Sequence, residues 1–100
     1  MNDNLTTLRP PGTALMRLEL ETLMFFGDAP GPHVFNDVRE LVASRTGARM
    51  QEVDAALSSL LEAGPRPQGR LVKSEDGFLF MSGEGLKELT RALRTRLETL

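Results

Sequence analysis

Met50, Val53, Leu57, Leu60 and Leu61 recur at steps of three, four, three and one, and this stripe constrains the fold more than any other feature of the chain. Steps of three and four place apolar side chains on one face of an α-helix, whereas a half-buried strand needs steps of two. The predicted helix covers residues 49–63 and is stopped by Gly64-Pro65, since proline cannot continue the backbone ladder. Just ahead of it, Thr46-Gly47 reads as a tight turn with Gly47 where a left-handed cap is usual. Before that turn, Val38, Leu41 and Val42 form the apolar face of a shorter helix capped by Asn36 or Asp37 and running to about Arg45.

The rest of the chain is arranged around this pair. Thr13 is the candidate cap of a first helix over 14–26, with Met16, Leu20, Leu23 and Met24 on its apolar face. Two prolines and two glycines within residues 27–32 end it, and residues 33–35 read as a short extended piece. After a rigid loop at 65–69, residues 70–73 and 78–81 read as strands, and the Asp76-Gly77 pair between them is a strong short-range hairpin signal. Ser82 then caps a last helix over 83–100. Glu84 in its first turn and Arg91, Arg94 and Arg96 further along suit the helix dipole. Its Leu86, Leu89, Leu93, Leu97 and Leu100 are spaced three, four, four and three apart, close to a coiled-coil seam.

The predicted fold class is therefore mainly α within α+β: a three-helix core, a two-stranded β-hairpin and a C-terminal helix. Residues 1–12, ending in Pro10-Pro11-Gly12, form a flexible N-terminal arm. Residues 13–100 form one domain, and its helix 83–100 is the expected dimerisation element.

Composition excludes several kinds of chemistry. The chain has no cysteine, so disulfides, thiol catalysis and cysteine-based zinc sites are out. It has one histidine, His33, in a Pro-Gly-Pro loop where a structural or solvent-exposed role is preferred over a chemical one. Ser58-Ser59 has no candidate base nearby in sequence. Glu19 and Glu21 are two apart and do not face each other on a helix. The glycines sit at turns and caps, not in a phosphate-cradling order. No enzyme activity, cofactor or metal is expected, and no small-molecule ligand is identifiable. No apolar run approaches the roughly 20 residues needed to span a bilayer, and no signal peptide is recognisable at the N-terminus; a cytoplasmic protein is expected.

Two helices joined by a tight glycine-containing turn are the outline of a helix-turn-helix. With the hairpin and last helix added, the chain resembles the winged helix-turn-helix domains of bacterial transcription regulators of the PadR and MarR groups. Three stretches carry the likeness. Ala56-Leu57-Ser58-Ser59-Leu60-Leu61-Glu62-Ala63-Gly64 is similar to the end of their recognition helix. Leu71-Val72-Lys73 followed by Asp76-Gly77-Phe78 is similar to their wing. Met81-Ser82-Gly83-Glu84-Gly85-Leu86-Lys87-Glu88-Leu89 is similar to the start of their final helix. The resemblance implies a homodimeric regulator that places helix 49–63 in the major groove of double-stranded DNA and wing 70–81 on the backbone.

With the apolar stripe inward, helix 49–63 turns Arg49, Gln51, Glu52, Asp54, Ala55, Ser58, Ser59 and Glu62 to solvent. Arg49 is suited to guanine and Gln51 to adenine, while Ala55 lies on the same face and Ser58 can reach a base or phosphate. Arg66, Arg70 and Lys73 are the candidates for phosphate contacts around the wing. Arg45 and Thr46 sit at the turn; the Thr46 hydroxyl is either a phosphate contact or a helix cap, and the cap is preferred. Arg9 is the one cation of the arm. Leu86, Leu89, Leu93, Leu97 and Leu100 are the expected dimer seam.

Charge supports a second reading. The chain carries −2 overall. Residues 1–64 hold 5 basic and 9 acidic side chains, and residues 65–100 hold 7 basic and 5 acidic. DNA binding usually shows a larger basic footprint, and the wing tip carries Glu75 and Asp76. The alternative is a winged helix used for protein–protein interaction without direct DNA contact.

Overall fold

The computed structural model describes residues 15–98. The predicted arm 1–12, the Thr13 cap and Leu100 lie outside the described residues. Within them are four helices, α1 (Arg17–Asp28), α2 (Phe35–Thr46), α3 (Met50–Leu61) and α4 (Gly83–Glu98), and three strands, β1 (His33–Val34), β2 (Leu71–Lys73) and β3 (Phe78–Met81). The strands form one antiparallel sheet in the order β1-β3-β2. The two-stranded hairpin expected from the sequence is thus extended by a third strand. His33 pairs with Leu79 and Val34 with Phe78. A two-residue strand is too short to show alternation, so only its extended character was legible.

The core is aliphatic with an aromatic corner. Leu23 and Phe26 of α1 meet Val38 and Val42 of α2, Val53, Leu57 and Leu60 of α3, and Leu71 and Leu79 of the sheet. Phe25 and Leu89 close its sides. The predicted face of α1 is rotated in the structure: Met16 is exposed, and the buried row is Glu19, Thr22, Leu23 and Phe26, with Phe25 beside it. Turning both phenylalanines inward buries more apolar surface than burying Met16 would. Glu19 and Thr22 are carried in with them and are satisfied locally. The Thr22 hydroxyl donates to the Leu18 carbonyl at 2.7 Å, and Glu19 Oε1 accepts the Met16 N–H at 2.9 Å. Leu41 and Met50, expected on the inward faces of α2 and α3, are exposed.

The turn between α2 and α3 follows from Gly47. Its φ of 75° lies in the left-handed region, where a Cβ is costly, and its N–H donates to the Ala43 carbonyl at 2.8 Å. The hairpin is closed by Ser74, whose N–H donates to the Phe78 carbonyl at 2.8 Å and whose hydroxyl accepts the Phe78 N–H at 3.1 Å. Ser82 caps α4 as expected: its hydroxyl accepts the Gly85 N–H at 3.2 Å and donates to the Gly69 carbonyl at 2.6 Å. No helix among the described residues is long and apolar enough to cross a membrane.

Candidate nucleic-acid interface

The outward face of α3 begins where the Gly47 turn delivers it. Arg49 stands just before the helix, and its exposed side chain is joined by exposed Gln51, Ala55 and Ser58. Gln51, Ala55 and Ser58 are four and three residues apart, so they form one stripe about 10 Å long. Arg45, in the last turn of α2, is exposed as well. Thr46 is not available: its hydroxyl donates to the Val42 carbonyl at 2.7 Å and accepts the Ala48 N–H at 3.2 Å. Thr46 is not the expected cap either: it is the last residue of α2, its hydroxyl holds the turn at Ala48, and the residue at the N-cap of α3 is Arg49.

Two of the acids predicted on this face are engaged by neighbouring groups. Arg39 of α2 grips Asp54 with two parallel hydrogen bonds, Nε to Oδ1 at 2.6 Å and Nη2 to Oδ2 at 3.0 Å. That fork geometry neutralises Asp54 beside the stripe and ties α2 to α3. The hydrogen bond to Asp54 pushes the Arg39 guanidinium pKa further up. Glu52 Oε1 accepts the Arg49 N–H at 2.9 Å, so its carboxylate caps the helix start. Glu62, at the far end of the face, stays exposed.

Two predicted phosphate contacts are withdrawn by the structure. The Arg70 side chain is only 4 % exposed. Its Nη2 donates to the Ser59 carbonyl at 3.0 Å and its Nη1 lies 3.4 Å from Glu88 Oε1, while its buried Nε has no partner among the described residues. Arg66 is half-buried and spends its Nε on Glu88 Oε2 at 2.5 Å. Ser59, predicted on the solvent face, is half-buried and its hydroxyl donates to Glu19 Oε2 at 2.5 Å. Glu19, Ser59, Arg70, Glu88 and Arg66 thus form a continuous polar chain that pins α4 and the start of β2 onto α1 and α3. Sequence reading missed it, although one signal was present: Glu19 shares the i, i+3, i+4, i+7 row of Thr22, Leu23 and Phe26.

The wing keeps one candidate. Lys73 is exposed, with its ammonium 4.9 Å from the centroid of the Phe35 ring, a cation–π contact between β2 and the start of α2. Glu75 and Asp76 are exposed at the tip. The outer side of the sheet is apolar. Val34 lies opposite Phe78 and Val72 opposite Phe80, and both phenylalanines are nearly 40 % exposed.

The expected dimer seam is only partly outward. Leu89 is buried in the chain's own core and Leu93 packs against it, whereas Leu86 is 54 % and Leu97 70 % exposed. Among the described residues no cluster of three or more His, Asp or Glu is placed to hold a metal ion. His33 packs against Phe25 and Phe26, with ring centroids 5.0 and 5.5 Å away, and its Nε2 meets the Ala29 carbonyl. No family model, curated protein or solved structure matches the chain.

Proposed function

We propose that this chain is a winged helix-turn-helix DNA-binding protein of the transcription-regulator kind. In this reading α2 and α3 are the helix-turn-helix and the β2–β3 hairpin is the wing. The α3 N-terminal end enters the major groove, with Arg49 and Gln51 facing base edges and Ser58 further along the same stripe. Arg45 and Lys73 contact phosphates. The observation that carries the reading is the exposed stripe of small or neutral side chains on α3, headed by Arg45 and Arg49, with Asp54 neutralised by Arg39.

Selection from a pool of randomised duplexes tests it. The wild-type protein should enrich a short motif, and Gln51→Ala should relax preference at one position without abolishing binding. Failure to enrich any sequence overturns the proposal.

A second reading has its own support. The sheet's outer face exposes Phe78, Phe80 and Val34 beside the acidic tip Glu75-Asp76, which suits a protein partner better than a phosphate backbone. Recovery of partners from a lysate after nuclease treatment would favour that winged-helix assembly module, and loss of every partner with nuclease would remove it.

A further inference from the structure

Helix α4 carries a surface that the DNA reading does not use. It is held to the domain by Leu89, by half-buried Leu93 and by Glu88, whose carboxylate receives both Arg66 and Arg70. Gly27 of α1 lies close beneath it: a Cβ there would sit 3.1 Å from Leu89 Cδ2. Beyond Leu93 the helix runs clear of its own domain, and residues 94–97 are all exposed. Leu86, Leu93 and Leu97 form one edge, and the outer two leucines have little of their own chain to lie against.

A row of cations runs beside that edge. Lys87, Arg91 and Arg94 stand four and three residues apart and share one stripe, roughly 100° round the helix from the leucines at 3.6 residues per turn. All three are exposed. Lys87 lies 3.5 Å from Glu84, and among the described residues neither Arg91 nor Arg94 has an acidic partner. Long basic side chains at that angle reach over a neighbour seated on the leucines, as they do at the flanks of a coiled coil.

We propose that this edge docks an amphipathic helix of a partner protein, with apolar anchors at i, i+3 or i+4 and i+7 and acidic side chains on its flank. Charge decides between occupants. A second copy of this chain brings its own Lys87, Arg91 and Arg94 to the contact. In an antiparallel pair the two-fold axis sets both rows on the same side, where like charges repel, and in a parallel pair each row faces the flank of Gly85, Ala92 and Arg96, which holds no acid. An acidic helix satisfies the leucines and the cations together.

The test uses the full chain and a fluorescent, designed peptide of about 20 residues, long enough to hold a helix on binding, with a leucine row flanked by glutamates. A second peptide carries lysines in their place. The acidic peptide should bind, with affinity that falls as salt rises, and the basic peptide should not. Leu97→Ser and the pair Arg91→Glu, Arg94→Glu change only exposed side chains, so far-UV circular dichroism should be unaltered. Each should weaken the acidic peptide about tenfold or more, while duplex binding stays as in the wild type. Equal binding of both peptides, binding of neither, or indifference to the substitutions overturns the proposal. Self-association that Leu97→Ser abolishes, with no peptide bound, assigns the edge to a second copy and overturns it too. So does loss of duplex binding in the Arg91→Glu, Arg94→Glu protein, which would make the row a phosphate contact.

Discussion

Replacing Gly85 by alanine and replacing Gly83 by alanine make the same chemical change two residues apart in the first turn of α4, yet they should shift stability in opposite directions. Helix propensity alone favours both, by up to about 1 kcal/mol each. At Gly83 a Cβ would meet nothing within 4 Å, so that gain should be realised. At Gly85 a Cβ would overlap the Arg70 carbonyl oxygen and lie 2.8 Å from Met81 Cγ. The carbonyl cannot swing away as a side chain could, because it accepts the Ser82 N–H at 3.1 Å. Overpacking of this kind costs typically 1–3 kcal/mol, and with a backbone atom as the obstacle the upper end applies. After subtracting the propensity gain, Gly85→Ala should destabilise by about 2 kcal/mol, a fall in Tm of about 8–16 °C for a domain this size. Urea titration followed by circular dichroism measures both variants. If Gly85→Ala proves as stable as Gly83→Ala, the close approach of α4 to the start of β2 is wrong, and with it the seat of the wing.

Three further outcomes follow from the same contacts. Leu57→Ala empties a fully buried site and should cost about 2–5 kcal/mol, whereas Leu97→Ser, at a 70 % exposed position, should stay within about 0.5 kcal/mol of wild type by the same titration. Glu88→Gln removes the carboxylate shared by Arg66 and Arg70 and should destabilise by about 3 kcal/mol, as breaking a buried ion pair does; a change below about 0.5 kcal/mol would mean the polar chain contributes nothing. Arg66→Gln should lower stability through lost contact with Glu88 while leaving the salt dependence of duplex binding unaltered, since the guanidinium is already paired with that carboxylate.

The parts of this fold that were legible rest on local rules. The α3 stripe, the Gly47 cap, the hairpin around Asp76-Gly77 and the Ser82 cap each depend on residues within a few positions of one another. The parts that were not legible depend on which of two competing burials wins. Phe25 and Phe26 outweigh Met16, and their inward turn drags Glu19 to 2 % exposure. Once Glu19 is inside, Ser59 turns toward it and Arg70 reaches Ser59, so a residue that looked like a phosphate contact becomes part of the interior. The candidate interface divides the same way. Gln51, Ala55 and Ser58 are where helical spacing puts them, but pairing of Asp54 with Arg39 joins residues 15 apart, and nothing local to either signals it. The leucines of α4 look uniform in sequence, yet only the packing against α1 separates buried Leu89 from exposed Leu97.

Duplex binding measured across a salt series bears most directly on the proposed function. With Arg45 and Lys73 as the phosphate contacts, the logarithm of the binding constant should fall with the logarithm of salt concentration at a slope of about −2 per bound chain. Lys73→Ala should weaken binding across sequences and make the slope shallower by about 1, whereas Arg49→Ala should relax preference at one base position. Absence of binding at low salt, or a slope that Arg45→Ala and Lys73→Ala both leave unchanged, would contradict the assignment of α3 and the wing to DNA.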